Sequence, residues 1–276
     1  MLEKFIFENH LGQRFEGLPH GVYMNANTLR DYSWSYDTIN SRISRFYRGI
    51  TSRKIPLVVC CSSDEEAVAI RNRLFEMSEA DIEAKIPGKI FVGDYYTRGF
   101  ITASTKSNYL FKKRLCNLEL TLTSDDPSWY KETIFAFWSG EGETDTAIGG
   151  TDYPYDNPYD YALFLNGRSI LCDSVGSNAF RMLIYGEVSN PSIVIGTHIY
   201  TVNCDVGKGE TLLIDSLTKT ITLNTASGKK VNMFDKRGRE QYIFEPIPAG
   251  KNIVSYNGAF GFELTVIEKR SEPKWT

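Results

Sequence analysis

Histidine is nearly missing from this chain: 276 residues hold three, His10, His20 and His198. None has an i,i+4 partner of metal-binding type, so a helical zinc pair of the His-Glu-x-x-His kind is excluded. No Gly-x-Ser-x-Gly elbow and no Walker A loop occurs, which removes elbow hydrolases and P-loop nucleotidases. Gly207-Lys-Gly209 lacks both the four-residue gap and the Lys-Ser/Thr ending, and reads as a hairpin turn. Five cysteines, Cys60, Cys61, Cys116, Cys172 and Cys204, are an odd number without framework spacing. No Cys-x-x-Cys is present, and adjacent Cys60 and Cys61 cannot bridge each other without strain. Reduced, mostly buried thiols of a protein folded in a cytoplasm are expected. Net charge is only −3, too small to demand a polyanionic partner. No apolar run approaches the ~20 residues of a membrane span. The first ten residues carry a three-residue apolar core, short of a signal peptide. A soluble chain is expected, with no catalytic residue, no metal ligand and no cofactor.

What is abundant is aromatic: 13% of the residues, mostly the 16 tyrosines and 16 phenylalanines. With frequent Val, Ile and Thr this tilts the chain toward β-structure. The expected fold class is mainly β, in two domains. Residues 1–137 read as an α+β N-terminal domain with one helix at about 64–80. Tyr32, Trp34 and Tyr36 alternate with Ser33, Ser35 and Asp37, as in an extended segment. Ile55-Pro-Leu-Val-Val-Cys-Cys61 reads as a buried strand. Ser63-Asp-Glu-Glu66 reads as a capping box, followed by a stripe of Ala67, Ile70, Leu74 and Met77 at helical spacing, with Pro87-Gly88 closing the element. Lys89–Val92 and Thr97–Ala103 flank a Gly93-Asp94 turn. Cys116, Leu118, Leu120 and Leu122 then alternate with Asn117, Glu119, Thr121 and Thr123, up to the break at Asp125-Asp-Pro127.

Residues 138–160 change character, rich in glycine and acidic residues and without Lys or Arg. This segment reads as the linker. It ends in Tyr153-Pro-Tyr-Asp156 and Asn157-Pro-Tyr-Asp160, whose prolines forbid a continuous helix and whose rings favour an ordered connector. Asp152, Asp156 and Asp160 have a spacing that matches no calcium loop, and read as solubilising or turn residues. Residues 161–270 read as an all-β sandwich, with turns at Asn166-Gly167, Ser189-Asn-Pro191, Gly207-Lys-Gly209, Ser227-Gly228, Arg237-Gly238, Pro248-Ala-Gly250 and Asn257-Gly258. Phe260, Phe262, Leu264 and Val266 form one face of its last strand, and 271–276 is a polar tail. The halves differ in charge: 18 basic against 17 acidic residues up to 137, and 13 against 17 after it. Arg42, Arg45, Arg48, Arg53 and Lys54 make a locally basic stretch, either a phosphate contact or a strand pair with charged outward positions.

The ordered set Asp31-Tyr-Ser-Trp-Ser-Tyr36, Val92-Gly-Asp-Tyr-Tyr-Thr-Arg-Gly99, Thr123-Ser-Asp-Asp-Pro-Ser-Trp129 and the tyrosine-proline connector resembles the distal tail (Dit) protein family of long-tailed bacteriophages. Downstream matches are Gly186-Glu-Val-Ser-Asn-Pro191, Ile214-Asp-Ser216, Lys219-Thr-Ile221, Asn232-Met-Phe-Asp235 and Ile247-Pro-Ala-Gly-Lys-Asn252. The resemblance implies a ring-forming N-terminal domain followed by a galectin-like sandwich. It also implies a homohexameric ring in the virion tail tip, assembled in the host cytoplasm. Its partners would be the tail tube protein, the tail-associated lysin or fibre protein and receptor-binding proteins. Contact with DNA in the channel would be passive, and no membrane is involved. Two alternatives come from other classes: a carbohydrate-binding lectin-like sandwich, and a sandwich glycoside hydrolase, which would need two carboxylates facing one cleft.

Overall fold

The computed structural model describes residues 4–24, 27–110, 114–139 and 168–275. The chain divides into two compact units, residues 1–131 with 269–276, and residues 132–268. Each has its own apolar core.

The first unit begins with short strands β1 (Ile6–Glu8), β2 (Arg14–Glu16) and β3 (Val22–Met24), then a four-residue helix α1 (Asn27–Arg30) that the sequence pattern did not announce. A hairpin follows, β4 (Ser35–Ile39) and β5 (Arg42–Tyr47), then β6 (Thr51–Cys60), helix α2 (Asp64–Ala84), β7 (Gly88–Val92), β8 (Tyr95–Leu110), β9 (Leu115–Ser124) and the start of β10 (Trp129–Phe137), whose residues from 132 onward belong to the second unit. Strand β8 changes partner midway. Its first half pairs antiparallel with β7 in the β2-β1-β7-β8 sheet, and its second half with β9 in the β3-β6-β9-β8 sheet. Gly99 sits at this corner, where an added Cβ would lie 2.8 Å from the Thr123 carbonyl oxygen. Only a residue without a side chain lets the two strands approach so closely.

The alternation read from 116–122 is real: Cys116, Leu118, Leu120 and Leu122 are all buried. They join Ile55, Leu57 and Val59 from β6 and Ile70, Leu74 and Met77 from α2 in one core. The run 55–61 is not buried throughout, however. Val58 and Cys60 are exposed, because β6 belongs to a sheet with one face on the core and one in solvent. Helix α2 runs four residues beyond the expected end, to Ala84, and closes on Lys85 in the left-handed region (φ 55°). Pro87 disfavours helix only at the residue before it, so the stop falls near it rather than at 80. At the other end Ser63 Oγ accepts from Glu66 N, as a cap should. The Glu66 carboxylate reaches Ser62 N and Oγ, one residue earlier than in the standard box.

The second unit is a sandwich of two antiparallel sheets. One has the order β19 (Lys230–Asn232), β18 (Thr220–Asn224), β17 (Thr211–Asp215), β12 (Ala179–Tyr185), β21 (Gly261–Arg270). The other has the order β11 (Arg168–Cys172), β20 (Gly250–Ser255), β14 (Ser192–Ile195), β15 (His198–Thr201). A two-stranded ribbon joins β13 (Val188–Ser189) to β16 (Asp205–Val206). Inward residues such as Phe180, Met182, Ile214, Phe262 and Leu264 meet Ile170, Ile193 and Val254 in one cluster. Positive φ at Asn190, Gly209, Gly228, Gly250 and Gly258 places the expected turns where the sequence marked them. Residues 140–167, with the tyrosine-proline connector, its aspartates and the Asn166-Gly167 turn, lie outside the described residues.

Candidate functional site: an exposed apolar hairpin and its polar root

The β4–β5 hairpin is the part of the first unit whose sequence and environment disagree most. Every residue of both strands is exposed, although the strands carry Tyr36, Ile39, Ile43, Phe46 and Tyr47. The turn is built from Asn40 (φ 49°) and Ser41 (φ 60°), two successive left-handed residues of the kind that match strand twist. The register sets Tyr36 opposite Phe46 and, after a bulge at Ser44, Thr38 opposite Ile43. Asp37 faces Arg45 and Ile39 faces Arg42, on the other side. One face thus carries Tyr36, Phe46 and Ile43, while the other mixes Tyr47 and Ile39 with Asp37, Arg42 and Arg45, and nothing among the described residues covers either. An isolated two-stranded hairpin is marginally stable in water, so this one is suited to being finished by a partner.

Its root, by contrast, is fixed. Arg48 stacks on Trp34, 4.4 Å from its ring centre, and donates through Nη2 to Ser128 Oγ at 2.8 Å. Ser128 Oγ donates to Asp126 Oδ1 at 2.6 Å, Tyr130 donates its hydroxyl to the same carboxylate, and Lys269 Nζ lies 3.2 Å from it. Half-burial pushes the Asp126 carboxyl up, but the Ser128 and Tyr130 hydrogen bonds and the Lys269 charge outweigh it and hold the group below the usual range. The Tyr130 hydroxyl is pushed far above its ordinary value, first by burial and then by Asp126. Beside this knot Arg53 donates to the Leu29 and Pro127 carbonyls, and its pKa is lowered by burial and by the neighbouring Arg48. Arg30 is buried, donates to the Pro273 and Lys274 carbonyls, and stacks on Trp275. Residues 273–275 thus have a fixed place in this unit.

A second feature is a groove of about 280 Å³ between α2 and the outer part of β8–β9. Leu118, Leu120, Ile101 and Ala103 form its floor, and Phe75, Glu79 and Ile82 of the helix form its wall. Phe75 is 64% exposed, the most open large apolar side chain on the helix.

The residues weighed for chemistry are scattered. His10 Nδ1 sits 2.7 Å from Asp81, His20 stacks on Phe15, and His198 Nε2 lies 2.8 Å from the Tyr242 carbonyl. All five cysteines are free; Cys116 and Cys172 are buried, Cys61 and Cys204 half-buried, and Cys60 exposed. No group of three His, Cys, Asp or Glu fit to hold a metal occurs among the described residues. The groove holds Glu79 as its one carboxylate, the hollow at the hairpin root Asp31, and the hollow beside β15 Glu240. None of these three offers the acid pair a glycosidase needs. No helix among the described residues is long and apolar enough to cross a membrane.

The sequence pattern pointed to this region without showing its form. Asp31–Tyr36 is the hairpin's entry, Val92–Gly99 the turn and corner of β7–β8, and Thr123–Trp129 the strand end carrying Asp126. The Asn40-Ser41 turn was missed; an Asn between two alternating segments is its available signal. The Asp126 knot is only partly local, at Asp126, Ser128 and Tyr130; Arg48 and Lys269 join it from 80 and 143 residues away.

No family model matches this chain, and no curated protein matches it in sequence. Solved structures do match in fold. One is the Dit protein (gp 19.1) of phage SPP1, described as a paradigm of the hub adsorption apparatus in phages infecting Gram-positive bacteria. It has 9% identity, a TM-score of 0.57, and coverage of 96% of this chain and 99% of that one. Chains of the phage P2 baseplate in its activated conformation match at TM-score 0.58, over 99% of this chain and 100% of theirs. Their identity is 13% in the calcium form and 15% in the strontium form.

Proposed function

We propose that this chain is a structural component of the tail tip of a long-tailed phage or prophage, a ring-forming hub without catalytic activity. The ring joins the tail tube to the tail-associated lysin or fibre and to receptor-binding proteins used in host attachment. The observation that carries this reading is the fold: both units together match a phage Dit protein and phage baseplate chains over nearly their full lengths. The uncovered apolar face of β4–β5 supports it, because an assembly protein needs an apolar surface that folding alone leaves open. Six chains of 31.3 kDa give a ring of about 188 kDa. Closed cyclic symmetry with more than two copies requires heterologous contacts, one surface of each copy meeting a different surface of the next. Size-exclusion chromatography with light scattering tests this. A closed species near six chains supports the ring, and a species of another closed order, such as a dimer, refutes it.

A further inference from the structure

We propose that the hollow at the hairpin root is a binding site for a carboxylate, held between Arg48 and Arg53. The hollow has a volume of about 390 Å³, and all of its lining belongs to the first unit. The proposal concerns this polar root alone and does not depend on the ring, so either can fail while the other stands.

Both arginines line the hollow, and both are under-used. A guanidinium offers five N–H donors in a fixed fork. Arg48 spends one on Ser128 Oγ, and its Nη1 is buried without a hydrogen-bond partner. Arg53 spends two, on the Leu29 and Pro127 carbonyls, each at 3.3 Å. No carboxylate among the described residues forms an ion pair with either. A half-buried cation without a counter-charge is costly, and here two stand together. Arg48 adds to burial in lowering the Arg53 pKa, and Asp31, acting in the opposite sense, offsets only part of it. An anion between the two forks would relieve both.

The charges at the hollow select which anion. Arg48, Arg53 and Asp31 line it, a net of +1. Asp126 reaches Arg48 only through Ser128, and Lys269 at 3.2 Å answers its charge. Asp125 is not part of the lining. A carboxylate brings one negative charge and closes the balance. A phosphate monoester brings nearly two and is repelled by Asp31. The two oxygens of a carboxylate also match a guanidinium fork, and Ser33 and Thr51 supply hydroxyls on the same lining. The ligand class is therefore a carboxylate, carried by an acidic side chain of a protein or by a small free acid.

The test is ligand-observed saturation-transfer NMR on the full chain at fixed ionic strength. The probes are the capped peptide acetyl-Gly-Glu-Gly-amide, its Gln analogue, acetate and inorganic phosphate. The Glu peptide is expected to bind with a dissociation constant on the order of millimolar, and the Gln analogue about tenfold more weakly or worse. Arg48→Lys and Arg53→Lys keep the charge, lose the fork, and are each expected to weaken the Glu peptide about tenfold. Asp31 makes no hydrogen bond or ion pair among the described residues. Asp31→Asn is therefore expected to leave the fold intact and to tighten the Glu peptide roughly two- to threefold, by removing a like charge. The arginines also brace the root, so this variant, with both in place, decides independently of folding. Equal binding of the Glu and Gln peptides overturns the proposal. So does an unchanged affinity in Asp31→Asn, or phosphate bound more tightly than acetate by the unaltered chain. Acetate as tight as the Glu peptide assigns the site to small free acids, and a tighter peptide assigns it to acidic side chains of a protein.

Discussion

Phe46→Ala separates a free interface from a piece of core. The ring is 59% exposed and its main neighbour is Tyr36 across the hairpin. Losing that cross-strand pair costs about 0.2–1 kcal/mol, and the rest of the hairpin touches no core. The unfolding free energy of the isolated chain is therefore expected to fall by less than about 1 kcal/mol. Association is a different matter. A phenylalanine side chain presents roughly 200 Å², so 59% exposure leaves about 120 Å² to bury on docking. At about 25 cal/mol per Å² that is about 3 kcal/mol, or about 100-fold in dissociation constant. Urea unfolding followed by tryptophan fluorescence gives the first number, and sedimentation velocity across a dilution series gives the second. A stability loss above about 2 kcal/mol would show that the ring belongs to a core. Unchanged association would show that the hairpin is not an interface.

Other substitutions check the frame around it. Leu120→Ala, at 2% exposure in the first core, is expected to cost ~2–5 kcal/mol in urea unfolding; a cost below ~0.5 kcal/mol would contradict its burial. Asp126 is ionised more readily in the folded chain than in the unfolded one, so it stabilises above the unfolded carboxyl value of about 3.9. That stability is lost as pH falls through the lower folded value, and Asp126→Asn is expected to flatten the acid limb of the stability curve; an unchanged limb refutes the knot. Gly99→Ala presses a methyl group onto the Thr123 carbonyl at the β8 corner, and is expected to lower the thermal midpoint by several degrees in a thermal melt. We further propose that residues 1–137 and 161–270 are domains joined through 138–160, so that limited proteolysis cuts first within 140–150. A first cut inside 161–267 would refute that boundary.

The strands of both cores were legible because each buries one face, so period-two alternation is written directly into 116–122 and 260–266. Helix α2 was legible for the same reason at helical period, and its end was missed because Lys85 gives no warning of a left-handed stop. The alternation at 32–36 was visible too. Its exposure was not, because a pattern within one chain says that a face is apolar without saying what covers it. The 55–61 run hid its one-sided burial, since Val58 on the solvent face is as apolar as Val59 on the core face. The Asp126 knot was illegible as a whole because Arg48 and Lys269 reach Asp126, Ser128 and Tyr130 from far along the chain, and only the last three share a local spacing. The proposed function rests on the order of short matches along the chain, and the comparison with solved structures shows the fold.

We propose that this chain sits at the end of a phage tail. Electron microscopy of purified tails, labelled with gold-conjugated antibody against this protein, decides it. Label is expected only at the tip distal to the head. Tails that bear no label, or label only at the head or along the tube, would refute the placement.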